Sequence, residues 1–588
     1  MEAKKENTQN IKKFQWPRPL EGFRGLTLAG LPREISAGVT LAALVIPLNI
    51  GYAQVAGLPP AMGLYAAIFP LIMFALFTSS RHVVGGPGPA TAVLIAAGLV
   101  GFGPPGDPLR MQYALALTLM CSGLFFLAWF FRLAFLQNFL SRAVLIGFVS
   151  GLGIQVFTTQ VRKILGVSID IRQQLQDITE QVETTFGVTL ETSGYFLNVT
   201  EMIKEIPHAN LYTVAIGLGS LIAVRLMKRY APKIPGALVI LIVMTIIVVV
   251  FDLDQKGVSV LGELPAGLPA VALPVVPLAD YLKLFPGAIA LVAITLSEGL
   301  LLSRGYAQKH GYEAAGNQLL FAYGMTNVAA GLSGSMVSGN SISRSAAMDS
   351  AGAVSQLTSL VAAGAVAVIL AFFTDVLALL PNAALAGIVA NAVISLIEVG
   401  NLQGLYRMRR SEFWIAITCL LAVLIVGPLR AVIIAFSLSI IDLLKRSSTP
   451  FTTVLQESVP GGYFISGEHG PAVSTPGLIV YRFSAPLYFA NANVISDEVQ
   501  KLVTQSPTPV KWFVLDASAV VDIDATGAEI LRQVLATLAE RKVTFAISRA
   551  HAPLQSVLKD YGLLDEIGSD RIYATNRDAV ADFRREHG

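Results

Sequence analysis

The residues best suited to chemistry in this sequence are a short run of serines around one arginine. Ser341, Ser343 and Ser345 surround Arg344, directly after a glycine-rich stretch. Serine hydroxyls and backbone amides bind an oxyanion without adding a full charge, and Arg344 supplies a counter-charge at real cost in apolar surroundings. The alternative is that Arg344 snorkels or pairs with Asp349 while the serines cap a helix. We treat Ser341, Ser343 and Arg344 as candidate anion ligands, with Ser345 as a secondary candidate.

A single carboxylate, that of Glu298, lies inside another apolar stretch. An ionisable residue in such a position is a functional candidate, because burying its charge is costly. Glu298 could take a proton, help to hold a cation or pair with Arg344. The polar members of the first apolar stretch are Asn49, Tyr52 and Gln54. Tyr52 could hydrogen-bond a substrate, although an interfacial or packing tyrosine is the alternative, and Asn49 is a secondary candidate.

The composition indicates that these residues belong to a membrane protein. Of 588 residues, 54% are hydrophobic and only 14% are charged, whereas a soluble chain carries about 25% charged residues. No Asp, Glu, Lys or Arg occurs between Glu34 and Arg81, or between Arg110 and Arg132. Charge-free runs near 20 residues long suit helices that cross a hydrocarbon core of about 30 Å. This excludes a wholly cytosolic enzyme, a disordered chain and a fibre.

The uneven distribution of charge predicts three regions. Residues 1–447 carry 30 Lys and Arg against 23 Asp and Glu, and residues 448–588 carry 12 against 16. We expect a polar cytoplasmic tail at 1–32, a transmembrane transport domain at 33–447 and a soluble cytoplasmic domain at 448–588. The small net charge does not suggest nucleic acid as a partner.

Cofactor chemistry has little support in the sequence. Cys121 and Cys419 lie in apolar runs and are expected to be small buried hydrophobes, and His82 is expected to be structural. No cluster of His and Cys indicates a metal, no phosphate-binding loop indicates ATP-driven pumping, and no pair of nucleophile and base indicates a catalytic site. We expect neither an enzyme nor a bound cofactor.

Apolar patterning predicts fourteen membrane segments. Their approximate bounds are 33–55, 59–79, 87–101, 111–131, 137–159, 209–228, 234–252, 284–303, 315–334, 343–352, 354–374, 377–398, 411–427 and 429–445. Lys and Arg cluster in alternate loops, and the positive-inside rule makes those loops cytoplasmic. With an even count, both termini lie inside, at the cell (inner) membrane.

Two of these segments are too short for an ordinary membrane helix. The third follows the sequence GGPGP at residues 85–89, and the tenth follows two Gly/Ser stretches at 331–341. Each is the third segment of a seven-segment half, so the halves form an inverted repeat. Paired interrupted segments in such repeats indicate the binding site of a secondary transporter. The positive ends of the two short helices would face each other and create an anion site. The alternative is that these stretches are ordinary loops or kinks.

These motifs resemble those of the sulfate permeases, a family that includes plant sulfate transporters and animal prestin-type anion exchangers. The sequence GLPPAMGLYAA at 57–67, followed by SSRH at 79–82, looks like the family signature. Gly86-Pro87 is similar to the Gly-Pro before the family's third helix, and Ser341, Ser343 and Arg344 match its Ser-x-Ser-Arg. Glu298 matches the acidic residue of its eighth segment. The resemblance covers nearly the whole chain.

The resemblance implies a fold and a mechanism. The expected fold is an α-helical membrane protein of fourteen segments, with a mobile core domain of segments 1–4 and 8–11 and a gate domain of segments 5–7 and 12–14. An elevator-type motion and a homodimer are also implied. By the same resemblance, the substrate would meet Tyr52, the backbone around Gly88, Ala90 and Thr91, and Ser343 with Arg344.

The sequence departs from the family pattern at two positions. Leu48 follows Pro47 where the family often has Gln, which removes a polar contact. Pro89 removes one amide donor from the third helix. These departures put sulfate specifically in doubt and leave bicarbonate, dicarboxylates and chloride open.

The region after residue 474 alternates short strands with helices, which indicates a small α/β domain. Strands are expected at 478–483 and 512–516, and helices at 525–541 and 552–561. The sequences LYFANA at 487–492 and DASAVVDIDATG at 516–527 resemble the STAS domain that follows sulfate permeases. Related antagonist proteins carry a regulatory serine where this chain has Ala525. Thr526 is therefore a phosphorylation candidate, with a capping Asp524 and a packing Thr526 as the alternative.

The expected function is a secondary active transporter that imports a small anion of the sulfate, bicarbonate or dicarboxylate class. H⁺ is the favoured coupling ion because Glu298 is a lone carboxylate that can titrate on burial, and Na⁺ is the alternative. The expected partners are the anion, the lipid bilayer, a second copy of the chain and a cytosolic partner of the STAS domain. Competing interpretations are an uncoupled anion channel, a nucleobase symporter on the same fold and a membrane receptor acting through its STAS domain.

Overall fold

The computed structural model describes residues 16–134, 141–167, 194–231, 234–271, 273–459, 462–465 and 475–587. The chain divides into two compact units, Met1–Ser439 and Ile440–Gly588. The first unit is built from helices around one large apolar core. The second contains a sheet with helices packed against it.

The first half of the helical unit is interrupted by several prolines and glycines. Its elements are α1 (Leu31–Val55), α2 (Pro60–Tyr65), α3 (Phe69–Phe77), strand β1 (Gly85–Gly86), α4 (Pro89–Gly98), α5 (Pro108–Phe130), α6 (Arg142–Leu165), α7 (Tyr195–Glu205), α8 (Leu211–Tyr230) and α9 (Gly236–Val250). Seven of the described helical stretches in the chain are long and apolar enough to cross a membrane, and three shorter helices are also apolar.

The second half repeats the pattern of long helices around one short strand. Its elements are α10 (Leu278–His310), α11 (Gly316–Leu332), β2 (Gly339–Asn340), α12 (Ile342–Ser350), α13 (Leu357–Phe372), α14 (Thr374–Ala378), α15 (Asn382–Ile394), α16 (Val399–Met408), α17 (Arg410–Val426) and α18 (Pro428–Ser448). Each apolar segment expected from the sequence contains helical residues among those described.

Three of the expected regions differ in detail from the sequence patterns. The second segment matches a candidate membrane span, Pro60–Phe77, but its helix is interrupted between α2 and α3, because Pro70 has no amide hydrogen to donate and its ring clashes with the carbonyl of residue 66. The eighth segment is longer than its apolar stretch, since α10 continues through polar residues to His310. The region between the fifth and sixth expected segments contains α7, and residues 168–193 of that region lie outside the described residues.

The second unit has a six-stranded sheet in the order β4-β3-β5-β6-β7-β8. The strands are β3 (Thr452–Val459), β4 (Gly462–Ile465), β5 (Leu478–Phe483), β6 (Trp512–Asp516), β7 (Thr544–Ser548) and β8 (Ile572–Tyr573). Strands β5 to β8 are parallel, and β3 pairs antiparallel with β4 and β5. The helices are α19 (Ala492–Thr504), α20 (Ala525–Glu540), α21 (Ala552–Asp560), α22 (Leu563–Ile567) and α23 (Asn576–His587). The two strands expected from the sequence are confirmed.

A buried carboxylate organises the carboxyl ends of the parallel strands. Asp516 is fully buried and accepts hydrogen bonds from the guanidinium of Arg482 at 3.0 and 2.8 Å and from Asn576 Nδ2 at 3.1 Å. Burial raises the pKa of Asp516, but the hydrogen bonds from Asn576 and Arg482 outweigh it, so the pKa lies below its ordinary value. Asp516 therefore stays ionised, and its hydrogen bonds join β6 to β5 and to α23.

The α20 N-terminus settles one alternative. Asp524 Oδ1 accepts a hydrogen bond from the Gly527 amide at 2.7 Å, so the expected cap is confirmed. The packing role for Thr526 was wrong, because this side chain is exposed. The neighbouring Gly527 and Ala528 are the buried residues of this first turn, and Thr526 lies on the exposed side of the helix. Phosphorylation of Thr526 stays a prediction.

Candidate functional site

Two short strands hold the short helices α4 and α12 end to end. β1 and β2 pair antiparallel, with Gly85 opposite Asn340 and Gly86 opposite Gly339. The ladder continues on one side, where the Ser341 amide donates to the Val84 carbonyl at 3.1 Å. Each strand leads within three residues into its helix, so the N-terminal ends of both helices meet at this ladder. Their partial positive charges therefore converge on one place, which is a favourable position for an anion.

Arg344 ties this arrangement together from inside the protein. Its side chain is 1% exposed. Nη1 donates to Asn49 Oδ1 at 2.8 Å, and Nη2 donates to the carbonyl of Pro87. Asn49 is itself fixed, because its Nδ2 donates to the Gly63 carbonyl at 3.0 Å. Arg344 thus links α12 to the loop before α4 and to the middle of α1.

The alternative roles considered for Arg344 were wrong. A buried guanidinium does not snorkel, and the Asp349 carboxylate is bonded to Lys309 Nζ at 2.6 Å and His310 Nε2 at 2.7 Å. None of the ion pairs among the described residues joins Arg344 to Glu298 or to Asp349. Among the described residues the guanidinium is therefore bonded to neutral amide and carbonyl oxygens and to no carboxylate, so a positive potential remains beside the helix ends.

The three serines at the start of α12 divide into structural and accessible positions. Ser341 caps the helix, since its hydroxyl accepts from the Arg344 amide at 3.5 Å and lies 3.4 Å from Ser343 Oγ. Ser345 Oγ donates to the Ser341 carbonyl at 2.7 Å and accepts from the Val84 amide at 2.9 Å. Ser343 is exposed. The capping alternative is thus right for Ser341, and Ser343, whose hydroxyl is bonded only weakly to that of Ser341, is the serine exposed enough to meet a ligand.

On the α4 side the backbone, rather than side chains, is available. The Thr91 hydroxyl is engaged twice, accepting from the Gly88 amide at 2.7 Å and donating to the Gly88 carbonyl at 2.8 Å. Among the described residues, no hydrogen bond uses the amides of Ala90 and Thr91, or those of Ile342 and Ser343 on α12. These four first-turn amides are the donors that a bound oxyanion would need.

Tyr52 lies in the same helix as Asn49, downstream of the internal Pro47. Its side chain is 1% exposed, and no hydrogen bond between described residues uses its hydroxyl. Burial agrees with a packing role, whereas the unused hydroxyl agrees with a substrate contact. The contact stays a prediction.

Glu298 lies beside a set of buried polar groups that the sequence did not single out. Its neighbour Gly299 leaves room for Tyr323, whose Oη would be only 2.0 Å from a Cβ at that position. Tyr323 donates to Asn340 Oδ1 at 3.1 Å. Asn340 Nδ2 and Thr295 Oγ1 are buried without a hydrogen-bond partner among the described residues. Thr295 is one helical turn before Glu298 in α10, so the two share a face.

This set connects Glu298 to β2 and hence to the ladder. Tyr323 and Asn327 are two of several uncharged polar residues within α11, so their signal in the sequence was weak. Asn327 Nδ2 donates to the Ser338 carbonyl at 2.9 Å, which fixes the chain just before β2. No hydrogen bond or ion pair of the described residues uses the Glu298 carboxylate itself. Its proposed pairing with Arg344 is not found.

One cluster of two histidines and an aspartate brings potential metal ligands close together. Nitrogen or oxygen atoms of His82, His310 and Asp349 lie within 4.8 Å of one another. The rings of His82 and His310 are stacked at 4.0 Å with 8° between their planes. Lone pairs of stacked rings run parallel instead of converging, and Lys309 already neutralises Asp349. The arrangement does not fit a metal ion and agrees with a structural His82.

Gly86 is required for the position of Arg344. Gly86 has φ +136°, and a Cβ there would lie 2.7 Å from Arg344 Nη1. We expect Gly86→Ala to displace the guanidinium and lower the free energy of unfolding by roughly 2–4 kcal/mol, since it breaks a buried charged hydrogen-bond network. Gly101→Ala is the control, because Gly101 also has a positive φ (+85°) but has open space around its Cβ position. Equal thermal unfolding midpoints for the two variants would contradict this role.

Family models match both units. The model described as the sulfate permease family matches residues 31–419, and the STAS domain model matches residues 471–579. A probable sulfate transporter of Mycobacterium tuberculosis is 36% identical over 97% of this chain and 98% of its own length. Sulfate transporter 1.3 of Arabidopsis thaliana is 27% identical over 96% of this chain and 86% of its own.

Solved structures have the same fold at lower identity. The murine Solute Carrier 26 family member A9 anion transporter, in an inward-facing state, superposes with a TM-score of 0.82 at 20% identity, covering 95% of this chain and 93% of its own. The transmembrane domain of the cyanobacterial bicarbonate transporter BicA gives 0.58 at 19% identity, covering 71% and 98%. The chain belongs to the sulfate permease family, as a multi-pass membrane anion transporter with a C-terminal STAS domain.

Proposed function

We propose that this protein is a secondary active transporter that imports a small anion, of the sulfate, bicarbonate or dicarboxylate class, together with H⁺. The observation that carries the proposal is the β1–β2 ladder, which aims the free amide ends of α4 and α12 at one place beside Arg344. The proposal includes fourteen segments in two inverted halves, cytoplasmic termini at the inner membrane, a homodimer, and a cytosolic partner for the STAS domain.

In the proposed binding mode, groups with partial positive charges contact the anion, and the full charge of Arg344 lies behind them. The Ser343 hydroxyl and the first-turn amides of both helices contact the anion. Arg344 contributes its field from a buried position, because its Nη atoms are already bonded to Asn49 and Pro87. Partial charges hold an anion without the strong ion pair that would slow its release. Helix ends, being less specific than a bidentate arginine, also admit more than one anion.

The names of the relatives favour sulfate or bicarbonate as the substrate. The residues of this chain do not by themselves choose between these anions. Relatives are named sulfate transporters, and a structural neighbour is named a bicarbonate transporter. In this chain Leu48 stands beside Pro47, and Pro89 removes one amide from the α4 end. A site with fewer donors favours an anion that is smaller or less charged than sulfate.

Ser343→Ala tests the binding mode in liposomes that contain the purified protein. We expect the KM for the transported anion to rise about tenfold, since a hydrogen bond to a charged group contributes roughly 1.5–3 kcal/mol. Ser350→Ala is the matched control: Ser350 lies in the same helix and donates only to the Ala346 carbonyl. Uptake of labelled sulfate and of bicarbonate is measured against a graded series of competing anions. Competition by uracil would favour nucleobase transport, and currents that do not saturate would favour a channel.

Glu298→Gln tests coupling to protons. The carboxylate lies beside buried polar groups, and no described residue forms an ion pair with it, so a neutral amide should mimic its protonated form. We expect an imposed inward proton gradient to accelerate wild-type uptake and to leave Glu298→Gln uptake unchanged. Glu263→Gln, at an exposed loop position, serves as control. Wild-type uptake that responds to an inward Na⁺ gradient and not to protons would overturn the choice of H⁺.

Hydrogen bonds among Gln54, Asn382 and Lys163, at the C-terminal end of α1, support alternating access. We call this group the polar latch. Gln54 Nε2 donates to Asn382 Oδ1 on α15 at 2.8 Å, and Gln54 Oε1 accepts from Lys163 Nζ on α6 at 3.0 Å. Close by, a Cβ at Gly51 would lie 2.1 Å from Val389 Cγ2, so α1 and α15 pack tightly here. In the proposed division α1 belongs to the core and α6 and α15 to the gate. The latch therefore closes the proposed outer side.

Gln54→Ala should weaken this closure. The native Cys121 and Cys419 are buried, so Ser343→Cys provides one accessible thiol at the proposed site. With an impermeant thiol reagent added outside, we expect Gln54→Ala to speed labelling about fivefold, because one or two hydrogen bonds of about 1 kcal/mol are lost. Gln403→Ala, exposed on α16, is the control. An unchanged labelling rate would refute the latch.

A further inference from the structure

We propose that a cavity at the ends of α5 and α11 binds the headgroup of an anionic glycerophospholipid. The cavity has a volume of about 590 Å³ and includes none of the residues assigned to substrate or coupling. Its walls come from the chain before α1, the end of α5 and the beginning of α11. Its charged lining consists of Arg18, Arg24, Arg132, Glu21 and Glu313.

The position of the cavity is that of a membrane boundary. α5 ends at Phe130 and α11 begins at Gly316, and residues from both of these helix ends line the cavity. Phe130 and Phe131, which follow the cavity residue Trp129, are 61% and 59% exposed. Exposed aromatic rings next to Trp are typical of the interface between hydrocarbon and headgroups. A ligand held here would have its polar part in the cavity and an apolar part beside these rings.

Aromatic packing gives the cavity a fixed wall. The ring of Trp129 lies 5.1 Å from that of Phe321 and 6.3 Å from that of Trp16. Gln318 Nε2 donates to the Arg18 carbonyl at 2.7 Å and to the Phe77 carbonyl at 3.2 Å. The segment that carries Arg18 is thereby fastened to α11 and α3. The arginines are thus presented by an anchored backbone.

The charges favour an anion. Arg18 and Arg24 share one carboxylate, that of Glu21, at the long distances of 4.0 and 3.4 Å, and both side chains remain more than 60% exposed. Such exposed pairs contribute little and yield readily to another anion. With Arg132 and Glu313 included, the lining has three positive and two negative groups. A phosphodiester would replace the shared carboxylate as the partner of both arginines.

Two observations favour a lipid over a free phosphate ion. Asn317 lines the cavity, and its Oδ1 is buried without a hydrogen-bond partner among the described residues, so it can accept from a hydroxyl such as those of a glycerol headgroup. The sequence before Trp16 carries Lys4, Lys5, Lys12 and Lys13. A basic segment next to a membrane helix is attracted to anionic lipid surfaces. The occupant proposed is therefore phosphatidylglycerol or a lipid with the same headgroup chemistry.

The test uses the full chain, purified in detergent, with two readouts: the thermal unfolding midpoint and lipid retention in native mass spectrometry. Phosphatidylglycerol should raise the midpoint and remain bound, whereas phosphatidylcholine should do neither. Arg18→Ala combined with Arg24→Ala should weaken phosphatidylglycerol binding by roughly tenfold or more. Each basic side chain near an anionic lipid surface adds to the attraction, and this variant lacks two of them. Arg229→Ala with Arg407→Ala, two exposed arginines outside the cavity, should leave binding unchanged.

A second variant and two soluble phosphate compounds complete the test. If the double alanine variant does not fold, Asn317→Asp, which keeps the shape but adds a negative charge, should lower retention of phosphatidylglycerol. Soluble glycerol phosphate and inorganic phosphate should have no effect at matched concentration. Equal retention in the Arg18/Arg24 and Arg229/Arg407 variants, or an equal effect of inorganic phosphate, would overturn the proposal. Neither outcome depends on which anion the protein transports.

Discussion

The architecture around the candidate site depends on Arg344, a buried cation for which the described residues supply no carboxylate partner. Removing a guanidinium from water is costly, and its remaining hydrogen bonds must offset much of that cost. Arg344 obtains them from Asn49 and from the Pro87 carbonyl, which belong to different parts of the chain. The backbone of the loop before α4 and the middle of α1 must therefore approach α12 closely. The positive potential left over is what makes the meeting of two helix ends useful for an anion.

The close approach explains where small residues occur. Gly86 leaves room for the guanidinium, Gly63 lets α2 approach the Asn49 carbonyl, and Gly51 lets α1 approach Val389. A side chain at these positions would force the buried arginine, the α1 backbone at Asn49 or the Val389 side chain to move. The ladder between β1 and β2 satisfies amides that two interrupted helices would otherwise leave bare in an apolar interior. The glycines and the ladder thus both allow backbone segments to approach closely in an apolar interior.

Sequence patterns predicted much of this site. The charge-free stretches marked the helices, the Gly/Pro interruptions marked α4 and α12, and the rarity of charge marked Glu298 and Arg344. The partners of Arg344 were predicted wrongly, because Asp349 is near in sequence while Asn49 and Pro87 are far from it. Tyr323 and Thr295 were overlooked, since an uncharged polar residue in an apolar helix is a weak signal, and Asn340 was noticed only as part of the Gly/Ser stretch before α12. The break at Pro70 was likewise hidden within a continuous apolar run.

The sequence by itself determined the class of protein, its family, its division into a membrane unit and a sheet-containing unit, and the residue types available for an anion. Apolar length and charge distribution are local properties, and solvation acts on each segment separately. Tertiary structure alone decided which serine is accessible, which oxygens hold Arg344, and which helix ends meet. Those outcomes depend on pairings between residues up to about 300 positions apart, such as Arg344 with Asn49. Such pairings are chosen by packing and hydrogen-bond satisfaction across the whole core, which no local pattern records.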